Sequence, residues 1–157
     1  MIRMSADAIK LLKPKVFDKS KWMQLPRDVV IGHDVFGQIP SVCEDLKLGS
    51  SALLISGKGT MGVAGSTIRN IMRPSYTVKP FLANEISIPV IKRAQKAARG
   101  LDFVIGVGGG RVIDTAKIVS YNLDLPFISI PTAASHDGIA SSRASVPTGE
   151  GHASLDA

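Results

Sequence analysis

Residues 101–120 read LDFVIGVGGGRVIDTAKIVS, and this stretch decides the fold. An apolar run, Phe103–Val107, meets Gly108, Gly109 and Gly110, and a helix-compatible segment, Arg111–Ser120, follows at once. A buried strand running directly into a helix is the joint of a parallel α/β sheet. Side chains at such a joint would block approach to the backbone. Glycines leave the amide N–H groups open, and the helix N-terminus adds partial positive charge, so the joint suits a pyrophosphate. Arg111 adds a full charge in a first turn that does not ordinarily favour a cation. The stretch is not a standard fingerprint. Gly106 and Gly108 fill the first two positions of GxGxxG, Arg111 stands at the third, and no P-loop Gly-Lys-Ser/Thr follows. From these residues alone, a tight turn without a ligand is the alternative.

Outward from the joint, short β-branched runs alternate with helix-like segments. The expected strands are Asp28–Ile31, Ala52–Ser56, Tyr76–Lys79, Phe103–Val107 and Phe127–Ile130. Val35, Ile39, Val42 and Leu46 recur at helical spacing before Gly49, and Met61–Arg73 permits a helix in which Gly65 allows close packing on the sheet. Ile88–Arg99 is a further helix, with Ser87 to cap it, Pro89 in its first turn and Gly100 to stop it. This alternation predicts a parallel sheet with helices on both faces, whose ligands bind beyond the carboxyl ends of the strands. Residues 1–26 form an N-terminal segment, 27–146 the domain, and 147–157 a polar trailing loop.

Composition narrows the function. Hydrophobic residues make up 45% of the 157 and charged residues 20%, as in an ordinary globular domain. No apolar run approaches the roughly 20 residues of a membrane span, so membrane insertion is not expected. The formal charge of +6 comes from scattered residues, and only 5% are aromatic. A phosphorylated small molecule suits that pattern better than nucleic acid. The single cysteine, Cys43, between Val42 and Leu46, reads as a buried small hydrophobe in a reducing, cytoplasmic compartment. His33, His136 and His152 are too dispersed for a metal site within this chain.

Two more strand ends carry chemistry. After Ile130 comes PTAASHDGIASSRASV, where Thr132, Ser135, Ser141 and Ser142 can hydrogen-bond a cofactor and Ala133 and Ala134 let it approach. His136 and Asp137 form an acid–base pair there, either a proton-transfer unit or half a metal site, or else a loop histidine beside a turn cap. After Ser56, the sequence Gly57-Lys58 lacks the acidic residue that would hold the ribose 2′-hydroxyl of NAD, so it tolerates a 2′-phosphate. A surface lysine is the plain alternative.

GVGGGRVIDTAK together with PTAASHDGIASSRAS resembles the sn-glycerol-1-phosphate dehydrogenases, a branch of the glycerol dehydrogenase, iron-type alcohol dehydrogenase and dehydroquinate synthase superfamily. The resemblance covers about residues 27–145, and the second motif points to this branch. It implies a Rossmann-like dinucleotide-binding domain that uses NAD or NADP to reduce dihydroxyacetone phosphate to sn-glycerol 1-phosphate for membrane phospholipids. By the same resemblance, Gly110, Arg111, Val112, Ile113 and Asp114 match the pyrophosphate turn, with Gly108 and Gly109 leading into it. Thr132, Ala133, Ala134 and Ser135 match the segment along the nicotinamide, Ser141 another cofactor contact, and Asp137 a substrate contact, with His136 supporting the loop. The zinc ligands of the family lie in a helical domain absent from this chain, which is expected to hold no catalytic residue and to be inactive alone. A homo-oligomer is compatible with the resemblance when the protein is full length. A glycerol dehydrogenase-like alcohol oxidoreductase and a non-catalytic nucleotide-binding module remain alternatives.

Overall fold

A computed structural model of the chain describes residues 26–133, 143–148 and 151–156. Its main sheet has four strands, β1 (Ser51–Ser56), β2 (Thr77–Leu82), β3 (Phe103–Gly108) and β4 (Phe127–Pro131), in the order β2-β1-β3-β4. Every pairing is parallel, with Leu53 beside Val104 and Gly106 beside Ser129. The central strands β1 and β3 are buried along almost their whole length, as their unbroken apolar sequences require.

Alternating side chains of those strands feed two cores. Leu53, Ile55 and Val104 pack with α4 (Ile88–Ala98) and α5 (Gly110–Leu123). Ala52, Leu54, Phe103, Ile105 and Val107 pack with α1 (Ile39–Asp45) and α3 (Ser66–Met72). The expected sheet with helices on both faces is therefore the observed one. Cys43 is fully buried in the second core, and burial pushes its thiol up to about 11. No helix among the described residues is long and apolar enough to cross a membrane.

Several boundaries differ from expectation. Strand β2 runs through Pro80 to Leu82 rather than stopping at Lys79. It lies at the sheet edge, where a residue lacking N–H costs no ladder bond and discourages further pairing. Residues 28–31 form no strand: Val29, Val30 and Ile31 are exposed, and nothing among the described residues pairs with them. The helix after β1 starts earlier than expected, as α2 (Lys58–Thr60), and passes through a π-turn, Met61–Gly65, into α3. A Cβ on Gly65 would lie 2.7 Å from the flexible Met61 Sδ and at ordinary contact distance, 3.5 and 3.6 Å, from Ser56 Oγ and Leu54 Cδ2, so the approach to the sheet does not itself require glycine here. Ser87 does precede α4, but its hydroxyl donates to Glu85 Oε1 at 3.0 Å instead of capping the helix. Gly100 terminates that segment with φ +78°.

The expected trailing loop is also corrected. Strands β5 (Arg143–Thr148) and β6 (Gly151–Asp156) pair antiparallel, with Thr148 beside Gly151. Two residues separate them, a common hairpin length, and backbone ladder bonds need no apolar side-chain period.

The sheet is fastened at both ends. Gly106 admits α5 onto β3, since a Cβ there would lie 2.8 Å from Ala116 Cβ and 3.2 Å from Phe127 Cε2. At the opposite end from the glycine turn, Asp102 Oδ2 accepts Ser50 N (2.9 Å), Ser51 N (2.8 Å) and Ser51 Oγ (2.7 Å). The Ser51 hydroxyl and then these amides hold its carboxyl below the usual value.

Gly106→Ala is expected to destabilise the chain by about 1–3 kcal/mol in urea unfolding; an unchanged midpoint would show that the helix gives way freely. Asp102 binds a proton less readily when folded, so its contribution is present above the ordinary Asp value near pH 3.9 and lost as pH falls through the depressed folded value. Acid unfolding of Asp102→Asn should lack that part of the pH dependence, and a slope equal to that of the parent chain would refute the assignment.

Candidate phosphate-binding site

Strands β1, β3 and β4 end side by side, and three chain turns leave from there. The glycines of the middle turn differ in role. Gly108 is buried, and a Cβ on it would lie 3.0 Å from Val112 Cβ and 3.1 Å from Thr60 Oγ1. Gly109, the N-cap of α5, has φ −81° and ψ −178°, open to any residue, and a Cβ there would meet nothing within 4 Å. Neither packing nor backbone conformation calls for glycine at 109. Its bareness leaves a cradle at the start of a 14-residue helix.

The turn's carbonyls face inward. Val107 O accepts Ser56 Oγ at 2.9 Å and Thr60 Oγ1 at 3.1 Å. Gly108 O accepts Thr132 N at 3.0 Å, and Gly109 O accepts Val112 N and Ile113 N at 3.0 and 3.1 Å. In a planar trans peptide the N–H points opposite to the preceding C=O, so the Gly110 amide points outward, past the start of α5. The Gly110 and Arg111 amides have no intrahelical acceptor. Together with the helix dipole they favour an anion.

The predicted residues divide accordingly. Gly109, Gly110 and exposed Arg111 stand at the cradle. The side chains of Val112 and Ile113 are buried, and their amides serve Gly109 O. Asp114 is buried on α5, and its Oδ2 accepts Ser145 N at 3.0 Å, which ties β5 to this helix. Thr132 and Ala133 are exposed where β4 ends. Lys58 is exposed where β1 ends, and its amide donates to Asn84 Oδ1 at 3.1 Å, which joins the turns after β1 and β2. Ala134, Ser135, His136, Asp137 and Ser141 lie outside the described residues. Among the described residues, no group of three or more His, Cys, Asp or Glu side chains could hold a metal ion.

Sequence reading missed Ser56 and Thr60. The only signal was their place at the end of β1, since their shared acceptor lies in another strand.

A parallel sheet with its glycine turn at a helix N-terminus defines the class of nucleotide-binding α/β domains. This chain belongs to the iron-containing alcohol dehydrogenase family, whose model matches residues 30–157. It is 73% identical over 154 residues to a protein of Methanoregula boonei named glycerol-1-phosphate dehydrogenase, NAD(P)+, covering 98% of this chain and 43% of that protein. A protein of the same name from Methanosphaerula palustris is 64% identical with the same coverage, so the chain spans less than half the length of these relatives. Among solved structures, glycerol dehydrogenase from Schizosaccharomyces pombe superposes with TM-score 0.76 at 23% identity, covering 88% of this chain and 38% of that one. An iron-containing alcohol dehydrogenase from Thermotoga maritima gives 0.74 at 22%, covering 86% and 44%. At those identities the likeness shows the fold.

Gly109→Val is expected to shift the unfolding free energy by no more than about 1–2 kcal/mol, since the new side chain meets open space and replaces only a modest cap. Gly108→Val should cost more, through the clash with Val112 and Thr60. The reverse order in thermal unfolding would refute this division of the turn.

Proposed function

We propose that this chain is the dinucleotide-binding part of an NAD(P)-dependent glycerol-1-phosphate dehydrogenase. The observation that carries the reading is the turn itself, with carbonyls engaged inward, amides outward and an uncovered Cβ position at Gly109. The names of the relatives at 73% and 64% identity support the same conclusion.

The residues present fit a dinucleotide. Gly109, Gly110 and Arg111 would hold the pyrophosphate, with Gly108, Val112 and Ile113 shaping the turn. Thr132, Ala133, Ala134, Ser135 and Ser141 would line the nicotinamide side, and Lys58 would tolerate or attract a 2′-phosphate, so that both NAD and NADP are accepted. A bound nicotinamide supplies the hydride that reduces the carbonyl of dihydroxyacetone phosphate. This chain's part is to orient that ring and, through Asp137, to position the substrate. These assignments rest on the sequence resemblance. Zinc, implied by the same resemblance, finds no ligand cluster among the described residues. The protein resides in the cytoplasm, a reading that the free, buried Cys43 supports.

The chain should bind NADPH and NADH, read by nicotinamide fluorescence, and Gly109→Val should weaken both more than about tenfold by displacing the phosphate from its amides. Equal affinity in the folded variant would overturn the phosphate assignment. In a protein of the relatives' full length, Asp137→Ala should depress turnover more than cofactor affinity, and an unaffected rate would refute the substrate contact.

A further inference from the structure

The amides of the phosphate turn are useful only if their peptide planes are held, and the structure shows what holds the first of them. Ser56 Oγ is buried and lies 2.9 Å from Val107 O and 2.9 Å from Thr60 Oγ1. Thr60 Oγ1 lies 3.1 Å from Val107 O and accepts Gly57 N–H at 3.0 Å. Gly57 O, the competing acceptor at 3.3 Å, already takes Met61 N at 2.8 Å.

Each hydroxyl has one proton, which limits the arrangements. If Ser56 donates to Thr60, Val107 O keeps a hydroxyl partner only when Thr60 passes its own proton there rather than to Gly57 O. If Ser56 donates to Val107 O, Thr60 donates to the carbonyl's second lone pair or to Ser56 Oγ. In each arrangement that satisfies Val107 O, Thr60 serves it directly or through Ser56, and Thr60 alone also receives Gly57 N–H, so Thr60 links the two turns and Ser56 assists it. Val107 C=O shares its peptide plane with the Gly108 N–H, and Thr60 Oγ1 also lies where a Cβ on Gly108 would be crowded at 3.1 Å. Thr132 N fixes the next plane from the β4 side.

From this geometry we infer that Thr60, assisted by Ser56, is a positioning residue for the phosphate turn. It orients the Val107–Gly108 peptide plane, which leads toward Gly109, and links it to the Gly57-Lys58 turn. The inference rests on the dinucleotide reading above for its consequence, but its geometry is independent of that reading.

The test is NADPH titration of the whole chain as parent, Thr60→Val, Thr60→Ser and Ser56→Ala, with thermal unfolding recorded without ligand. Thr60→Val keeps the shape and loses the hydroxyl, so it should weaken NADPH about tenfold, Ser56→Ala less, and Thr60→Ser should restore affinity to within about twofold. A folded Thr60→Val that binds NADPH as the parent does would overturn the inference. If Thr60→Val fails to fold, Ser56→Ala decides: parent affinity would overturn the inference, and a partial loss would support it. If the folded parent does not bind NADPH, the dinucleotide reading fails instead. The amide resonances of Gly108 and Gly109 then decide the inference: displacement by Thr60→Val and recovery in Thr60→Ser support it, and no displacement overturns it.

Discussion

The structure depends on one constraint: a fully buried strand, β3, must leave the sheet and become a helix without stranding a polar backbone group. Burial of an unsatisfied carbonyl or amide costs about 1–3 kcal/mol, so each group at this exit needs a partner. Val107, Gly108 and Gly109 turn their carbonyls to side-chain hydroxyls of the β1 turn, an amide after β4 and the Val112 and Ile113 amides of α5. With the acceptors spent inside, the donors at the helix start face outward. The anion-favouring character of the site is thus a by-product of satisfying the fold.

Close approach is the second condition. Helix α5 can start directly above the end of β3 only because Gly106 leaves room for Ala116 and Phe127, and Gly108 for Val112 and Thr60. Gly109 has no such duty. Of Gly106, Gly108 and Gly109, the first two are demanded by packing and the third is left bare where a ligand would approach. Asp114, one turn along α5, extends the same economy by receiving the amide of Ser145 and so fastening the β5–β6 hairpin to the helix that forms the cradle.

The opposite end of the sheet is held by different means. Asp102 gathers two amides and a hydroxyl from Ser50 and Ser51, joining the starts of β1 and β3 by charge-assisted bonds. The two central strands are therefore tied at both ends, by a carboxylate below and by hydroxyls above. That leaves the turn after β3 between fixed neighbours, the preorganisation a binding site requires.

The sequence alone determined the strand–glycine–helix joint, the central strands, the helices on both faces and the position of the cradle. These follow from local apolar periodicity and from glycines placed between a strand and a helix, which neighbours in the chain decide. Only tertiary structure decided that β2 continues through Pro80, that residues 28–31 remain unpaired among the described residues, and that the polar segment after Arg143 pairs as a hairpin. It also decided that Thr60 serves Val107, Asp114 serves Ser145 and the three glycines have unequal tasks. The two hydrogen bonds reach partners 47 and 31 residues away, and the course of β2 depends on its position at the sheet edge. Hydrogen bonding is short in range and indifferent to separation along the chain, so no local pattern records it.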